Sequence, residues 1–208
     1  MRSDVVIVAR PNRSPHLECA GGIAARRTER HTVHLVSAAA TPLGGDSIHL
    51  RVVVEPGARL TVRTAAATVA LPGATCVQSQ AMWTLEVAGE LDLDPEPTIV
   101  AATARHLAAT RLTLADGAKV RLRERVQIGR TGERQGFWSG SLHADVAGAP
   151  LLRHRIELGA GSLADDAIAT PLACVSELRY PNTAADIEGV TLALAGGGCL
   201  TTWQGDRL

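Results

Sequence analysis

Apolar and polar residues alternate along much of this 208-residue chain. Three segments show the pattern most clearly, because every second position is apolar while most positions between them are polar. The apolar positions are Ile48, Leu50, Val52 and Val54 in the first segment, Trp83, Leu85 and Val87 in the second, and Val120, Leu122, Val126 and Ile128 in the third. Successive side chains of a strand point to opposite faces of its sheet, so this period of two predicts half-buried β-strands.

A short turn recurs between the predicted strands. The segments 52–60 (VVVEPGARL) and 112–120 (LTLADGAKV) align residue for residue, with a glycine at the same place in each. Looser copies lie at 85–91, 145–151 and 156–163. Any all-β protein with glycine turns shows such a pattern, but it also fits similar β units stacked layer on layer. We therefore predict an all-β fold with an elongated, stacked or β-helical body of many short strands.

Two segments carry weaker helical signals. Residues 99–110 are rich in alanine, although valine, isoleucine and threonine dilute the signal. Residues 183–194 begin with a candidate N-cap, Thr183, and contain Gly189. Together they predict a small helical part beside the β body. No linker or low-complexity stretch divides the chain, so residues 1–208 are expected to form a single domain.

Composition and charge exclude several classes of protein. The chain has 21 Lys and Arg against 21 Asp and Glu, which argues against a nucleic-acid binder and against a polybasic membrane anchor. No apolar run approaches the ~18 residues of a membrane helix, and the first run is too short for a signal peptide. We expect a soluble, cytoplasmic protein. Its four cysteines form no CxxC pair and are expected to be reduced thiols.

The chain offers no positive support for enzyme activity. It lacks the Gly-Lys-Ser/Thr of a phosphate-binding loop and the GxSxG turn of a serine hydrolase. Its adjacent acidic pair, Asp165 and Asp166, would point to opposite faces of a strand. The classes left open from the residues alone are protein-binding and scaffolding modules.

Glu124 is the most informative single residue. It shares the parity of Val120, Leu122, Val126 and Ile128, so its side chain is expected to point with them toward the interior. A carboxylate facing a core is costly unless it is paired or lines a wet cavity. From the residues alone the favoured interpretation is a buried pair with an arginine such as Arg130. The functional alternative is a carboxylate on the wall of an internal channel.

Asp46 follows two glycines and precedes the strand that begins near Ile48. Glycine permits a turn with positive φ, and an aspartate in such a turn can accept a hydrogen bond from nearby backbone. The pattern favours a structural turn. A metal-binding role would need a partner that the sequence does not reveal.

Several motifs, taken in order, resemble those of the urease accessory proteins called UreD, or UreH in some bacteria. They are 41–50 (TPLGGDSIHL), 56–60 (PGARL), 64–68 (TAAAT), 94–99 (DPEPTI), 124–130 (ERVQIGR) and the strand at 151–158. Each is short, but their order and spacing over most of the chain make the resemblance specific. The sequence is similar to mycobacterial forms of this family.

The resemblance implies a non-enzymatic metallochaperone. Such proteins bind urease apoprotein and a partner accessory protein, UreF, which recruits the GTPase UreG, whose GTP hydrolysis drives nickel insertion into urease. The implied fold is an elongated β-helical body with a small helical part. No tightly bound cofactor is implied, only nickel in transit, and neither nucleic acid nor membrane is an implied partner.

Asp46 and Glu124 match acidic positions of the family, whose members are thought to carry nickel through an internal tunnel. The resemblance therefore implies that both carboxylates line that path as weak, passing ligands and not as tight ones. The alternative is a generic all-β protein-binding scaffold without a metal role.

Overall fold

The computed structural model describes residues 1–163, 165, 170–184 and 187–208. Its first nine strands are β1 (Arg2–Ala9), β2 (His16–Ala20), β3 (Ile23–Arg27), β4 (Thr32–Ser37), β5 (Ser47–Val54), β6 (Arg59–Thr64), β7 (Thr68–Ala70), β8 (Gln78–Val87) and β9 (Glu90–Leu93). The others are β10 (Thr98–Val100), β11 (Arg105–Leu114), β12 (Lys119–Ile128), β13 (Phe137–Val146), β14 (Ala149–Gly159), β15 (Ala173–Tyr180), β16 (Val190–Ala193) and β17 (Cys199–Gly205).

The strands form two sheets. Sheet A has the order β14-β13-β11-β8-β5-β1-β2, and sheet B has the order β16-β17-β15-β12-β9-β6-β4-β3. In addition, β10 pairs with β12, and β7 pairs with β10. Within sheet A, β1, β5, β8, β11 and β13 are parallel, and within sheet B, β4, β6, β9 and β12 are parallel. The chain passes from sheet A to sheet B at each coil, from β5 to β6, β8 to β9 and β11 to β12. The predicted stacked β body is confirmed.

The recurring turn forms one corner of each coil. Gly57 and Gly117 take φ values of 75° and 76°, which glycine adopts without strain. Corners of successive coils then bond to one another, because the backbone amide of Glu90 donates to the carbonyl of Ala58 and that of Lys119 donates to the carbonyl of Gly89. The repeated sequence pattern therefore marks the corner where coils stack.

The helical prediction for residues 99–110 is wrong. The segment contains β10 and most of β11, and β11 is paired on both sides by parallel neighbours, β8 and β13. Two ladders of hydrogen bonds outweigh the small helix propensity of its alanines. Of 183–194, residues 185 and 186 lie outside the described part, and Val190–Ala193 is a strand. The described residues contain no helix, and so none long and apolar enough to cross a membrane.

The core lies between the two sheets. The predicted alternation is observed: Leu50, Val52 and Val54 of β5 are buried, as are Leu122 and Val126 of β12. Burying aliphatic side chains of this size stabilises the fold by about 1.5–3 kcal/mol for each fully buried residue. The core is therefore mainly aliphatic, as the 2% content of aromatic residues requires, although Phe137 and Trp138 are also buried.

The outer face of sheet B carries an ionic cluster. Its members are Arg63, Arg121, Arg123, Arg125 and Arg179, together with Asp92, Asp94 and Glu177. Glu177 lies at its centre with only 1% of its side chain exposed. The arginines of β12 that alternate with its apolar row therefore point outward, but toward carboxylates that shield them from solvent.

Candidate functional site

One row of small residues crosses the inner face of sheet A. The register places Ile48 of β5 beside Ala81 of β8, Ala81 beside Ala108 of β11, and Ala108 beside Gly140 of β13. A row across parallel strands runs along the direction in which the coils stack. Because three of these four side chains are a methyl group or a hydrogen atom, the row leaves space between the sheets.

Rows that contain larger side chains flank this space on both sides. On one side His106 is paired with Trp138, and on the other Trp83 is beside Thr110. Gly140 has a second role here, since a Cβ on it would lie 2.2 Å from the ring of Trp138. Because Gly140 has no side chain, the indole of Trp138 can pack against it, and the space beside the row stays unfilled.

Two adjoining cavities occupy the interior. One, of about 80 Å³, is lined by Glu124 and Gly140 among others, and its neighbour, of about 210 Å³, is lined by Ile48 and Leu50 among others. Both are lined by Thr64, Thr68, Ala81, Trp83, Thr98 and His106. Together they follow the row of small residues across the coils.

Glu124 points into the first cavity, as its parity predicts. A Cβ on Gly140 of the opposite sheet would lie 3.2 Å from Glu124 Oε2, so the carboxylate spans the interior. Burial raises the pKa of Glu124 to about 7. Burial, and then the charge of Glu124, raise the pKa of the Cys174 thiol on β15. Glu124 is thus a carboxylic acid that exchanges its proton near neutral pH inside a cavity.

The favoured pairing of Glu124 with Arg130 is wrong. The guanidinium of Arg130 instead pairs with Glu133, three residues further along the same loop, with Nη2 and Oε1 2.5 Å apart. Glu133 is also anchored by the backbone, because its Oε2 accepts hydrogen bonds from the amides of Arg130 and Ala102, each at 3.0 Å. Glu124 has no ion-pair partner among the described residues.

Further polar atoms of the first cavity come from His106, His154 and Ser176. His106 Nδ1 lies 2.9 Å from Ser79 Oγ, and burial lowers the pKa of His106 to about 4, so its ring is neutral. Burial also lowers the pKa of His154. Within the described residues, His154 Nε2 and Ser176 Oγ are buried without a hydrogen-bond partner. Such groups favour a polar guest in the cavity, because an unpaired buried polar atom is costly.

Asp46 lies elsewhere. It is 6% exposed and lines neither cavity. Its carboxylate contacts the amino-terminal ammonium of Met1 and accepts hydrogen bonds from Thr41 Oγ1 at 2.9 Å and from the Leu43 amide at 2.8 Å. Burial opposes its ionisation, but these contacts hold the pKa of Asp46 below its usual value. The structure therefore does not bring Asp46 together with Glu124.

Comparison with known proteins shows to which family this chain belongs. The family described as UreD urease accessory protein matches residues 16–198 of this chain. The chain belongs to the UreD family. Among curated members, it is 40% identical over 190 residues to urease accessory protein UreD 1 of Saccharopolyspora erythraea, covering 87% of this chain and 74% of that protein. It is 43% identical over 183 residues to urease accessory protein UreD of Frankia alni, covering 76% of this chain and 61% of that protein.

Another UreD protein, from Frankia casuarinae, is 40% identical over 176 residues, covering 76% of this chain and 55% of that protein. The chain thus spans between about half and three quarters of the length of these UreD relatives. The resemblance stated from the motifs is confirmed at the level of the family.

No motif of this UreD family member marks His106 or His154 as a site residue. A signal for both was present, since His106 shares its parity with Leu112 and Leu114, and His154 with Ile156. Histidines on the apolar parity of a strand are expected inside. In the described part of the chain, no three His, Cys, Asp or Glu residues are grouped closely enough to hold a metal ion.

Replacing Glu124 by glutamine should stabilise the protein in alkaline solution. Between pH 4.5, the usual pKa of this side chain, and about 7, the folded protein holds a proton that the unfolded chain has released. The free energy of unfolding therefore falls as pH rises through that interval, and Glu124→Gln removes this loss. We expect a gain of about 3 kcal/mol at pH 8 and little gain at pH 4.5.

Urea denaturation at the two pH values measures this difference, with Glu86→Gln as the control at an exposed site. An equal effect of Glu124→Gln at both pH values would show that the carboxyl group titrates normally.

Proposed function

We propose that this chain is a urease accessory protein that assists the incorporation of nickel into urease, and that nickel ions pass through its interior cavities. Membership of the UreD family supports the role in urease maturation. The observation that carries the metal role is the carboxylate of Glu124, which is held in a cavity and has no ion-pair partner among the described residues.

The donor atoms of the cavity suit a cation in passage. The carboxylate of Glu124 supplies hard oxygen, and the neutral imidazoles of His106 and His154 supply nitrogen, both of which bind divalent first-row metals. A site with few ligands binds weakly and releases readily. Because Glu124 exchanges its proton near neutral pH, it can take up a cation by losing a proton.

Asp46 enters the proposal differently. Its carboxylate is engaged by Met1, Thr41 and Leu43, so a cation could bind there only by displacing the ammonium group. We propose that Asp46 is a weak, passing ligand outside the two cavities, with its turn-closing contacts as the alternative role.

The proposed partners are UreF-type and UreG-type accessory proteins and the structural subunits of urease. The chain is proposed to act by protein contacts and not by catalysis, with GTP hydrolysis supplied by the GTPase. It is proposed to act in the cytoplasm. Neither nucleic acid nor membrane has a part in the proposal.

Glu124→Ala and Glu124→Gln should lower the nickel content of urease severalfold while leaving the accessory complex intact. Both variants remove the charge, and glutamine also keeps the volume of the side chain, so the two separate loss of a ligand from loss of packing. The measurement is nickel per urease active site after co-expression with the full accessory set, with Glu90→Gln as the control at an exposed ion pair of sheet B.

Full nickel loading with both Glu124 variants would contradict the metal path and leave a protein-binding scaffold. Full loading in the complete absence of the chain would contradict the accessory role itself. Loss of loading with Ala but not with Gln would assign Glu124 a packing role.

A further inference from the structure

The outer face of sheet A carries a furrow that is separate from the interior cavities. Small side chains form its floor, namely Ala109 of β11 and Ser139 and Ser141 of β13. The register places Ala109 beside Met82 of β8, and Ser141 beside Arg155 of β14. The taller side chains of Met82 and Arg155 therefore form the two walls of the furrow.

The furrow has an apolar side, which lies on interior strands of its sheet. Met82 is 49% exposed although β8 lies between β5 and β11, where a solvent-facing strand normally carries polar residues. Leu107, two residues before Ala109 on the same face of β11, is half-buried and also lines the furrow. An exposed apolar patch of this kind, rimmed by polar side chains, marks an interaction site.

The arginines of this face fall into two groups. Those away from the furrow floor are paired with carboxylates of the same face, as Arg2–Asp4, Arg51–Glu86, Arg153–Asp145 and Arg155–Glu157. Arg105 and Arg111, which flank Leu107 and Ala109 along β11, are exposed and have no carboxylate partner among the described residues. The guanidinium of Arg105 is held 3.9 Å above the ring of Phe137.

From these observations we infer that the furrow binds an acidic protein segment with an apolar centre. Arg105 and Arg111 are six residues apart in one strand, about 20 Å at the usual rise, so two carboxylates flanking a short apolar stretch would reach both. Arg51, Arg111, His143 and Arg153 lie in one row across the sheet, but Arg51 and Arg153 are paired with Glu86 and Asp145. The uncompensated positive charge is therefore that of Arg105 and Arg111, and it steers an acidic partner.

A second copy of this chain does not fit the same face. A two-fold pairing of the furrow with itself would place Arg105 and Arg111 against the basic side chains of the copy, because a two-fold interface joins identical surfaces. The carboxylates on this face are already paired with its other arginines. The partner is therefore sought among the urease subunits and accessory proteins, a choice that rests on the proposed function.

A matched pair of substitutions at Met82 tests both the place and the charge of the partner. The dissociation constant of the purified chain for urease apoprotein and for the UreF-type protein would be measured at low and high salt. We expect Met82→Glu to weaken binding more than tenfold, and Met82→Lys, of similar size, by about threefold or less. Arg111→Glu should weaken binding about tenfold and reduce its salt dependence. Arg59→Glu, at an exposed ion pair on β6 of sheet B, is the control and should change binding less than twofold.

Other results would contradict the acidic partner, the docking face, the choice of occupant or the proposed function. Equal weakening by Met82→Glu and Met82→Lys would overturn the acidic partner, and unchanged binding in all furrow variants would overturn the docking face alone. A dimer of the chain that Met82→Glu dissociates would assign the furrow to a second copy. Absence of binding by the unaltered chain to every urease component would overturn the proposed function.

Discussion

Replacing Gly129 by alanine should lower the free energy of unfolding by about 4 kcal/mol, because two penalties add at this position. Its φ of 78° lies in the left-handed region, which is strained for alanine. The new Cβ would also lie 2.1 Å from the carbonyl oxygen of Glu133, a backbone atom. That atom cannot easily move away, since the Glu133 carboxylate accepts hydrogen bonds from the amides of Arg130 and Ala102.

Gly132 provides a matched control in the same loop. Its φ is 82°, but a Cβ there would meet no atom within 4 Å. Gly132→Ala should therefore cost only the backbone strain, about 1 kcal/mol. Urea denaturation of both variants, compared at equal m-values, separates the two effects. Equal losses would show that the Glu133 loop yields to the added methyl group.

Glu177→Ala should cost about 3 kcal/mol, the second large effect that the structure implies. Glu177 is almost fully buried in the ionic cluster, where its carboxylate accepts hydrogen bonds from Arg121 Nε at 3.2 Å and Arg123 Nε at 2.7 Å. It also pairs with Arg179. Removing the carboxylate leaves several guanidinium groups close together with fewer compensating charges in a partly desolvated setting.

The Arg51–Glu86 pair on the opposite sheet provides the comparison. Both side chains are well exposed, at 55% and 44%, so solvent screens their attraction. Glu86→Ala should change the free energy of unfolding by less than about 0.5 kcal/mol. A calorimetric or chemical denaturation series that gave the same loss for Glu86→Ala and Glu177→Ala would mean that the ionic cluster contributes no more than a surface pair.

The sequence predicted the features that depend on one strand at a time. The parity of β12 placed Glu124 inside and its arginines outside, because side-chain direction in a strand follows from position alone. The paired turns at Gly57 and Gly117 likewise marked the corners of coils. Residues 99–110 were assigned wrongly because strand pairing with distant neighbours, which no local pattern encodes, decides their structure.

The cavity could not be predicted for the same reason. Ala81, Ala108 and Gly140 come from three different coils, and only the register of β8, β11 and β13 aligns them. Glu124 could be placed toward the interior, but whether it met an arginine or a cavity depended on that alignment. Arg130 found a nearer partner, since Glu133 reaches it within one tight loop.

The alignment of small residues from three successive coils has a consequence for how such a protein can change in evolution. A whole coil could be inserted between β8 and β11, and the ladders, the inner passage and the outer furrow would all lengthen together, because each coil contacts mainly its two neighbours. A single residue inserted within a strand would instead exchange inner and outer faces beyond it. The length of the protein and the lining of its interior can therefore change by whole coils. The number of residues within a strand cannot change by one without exchanging its faces.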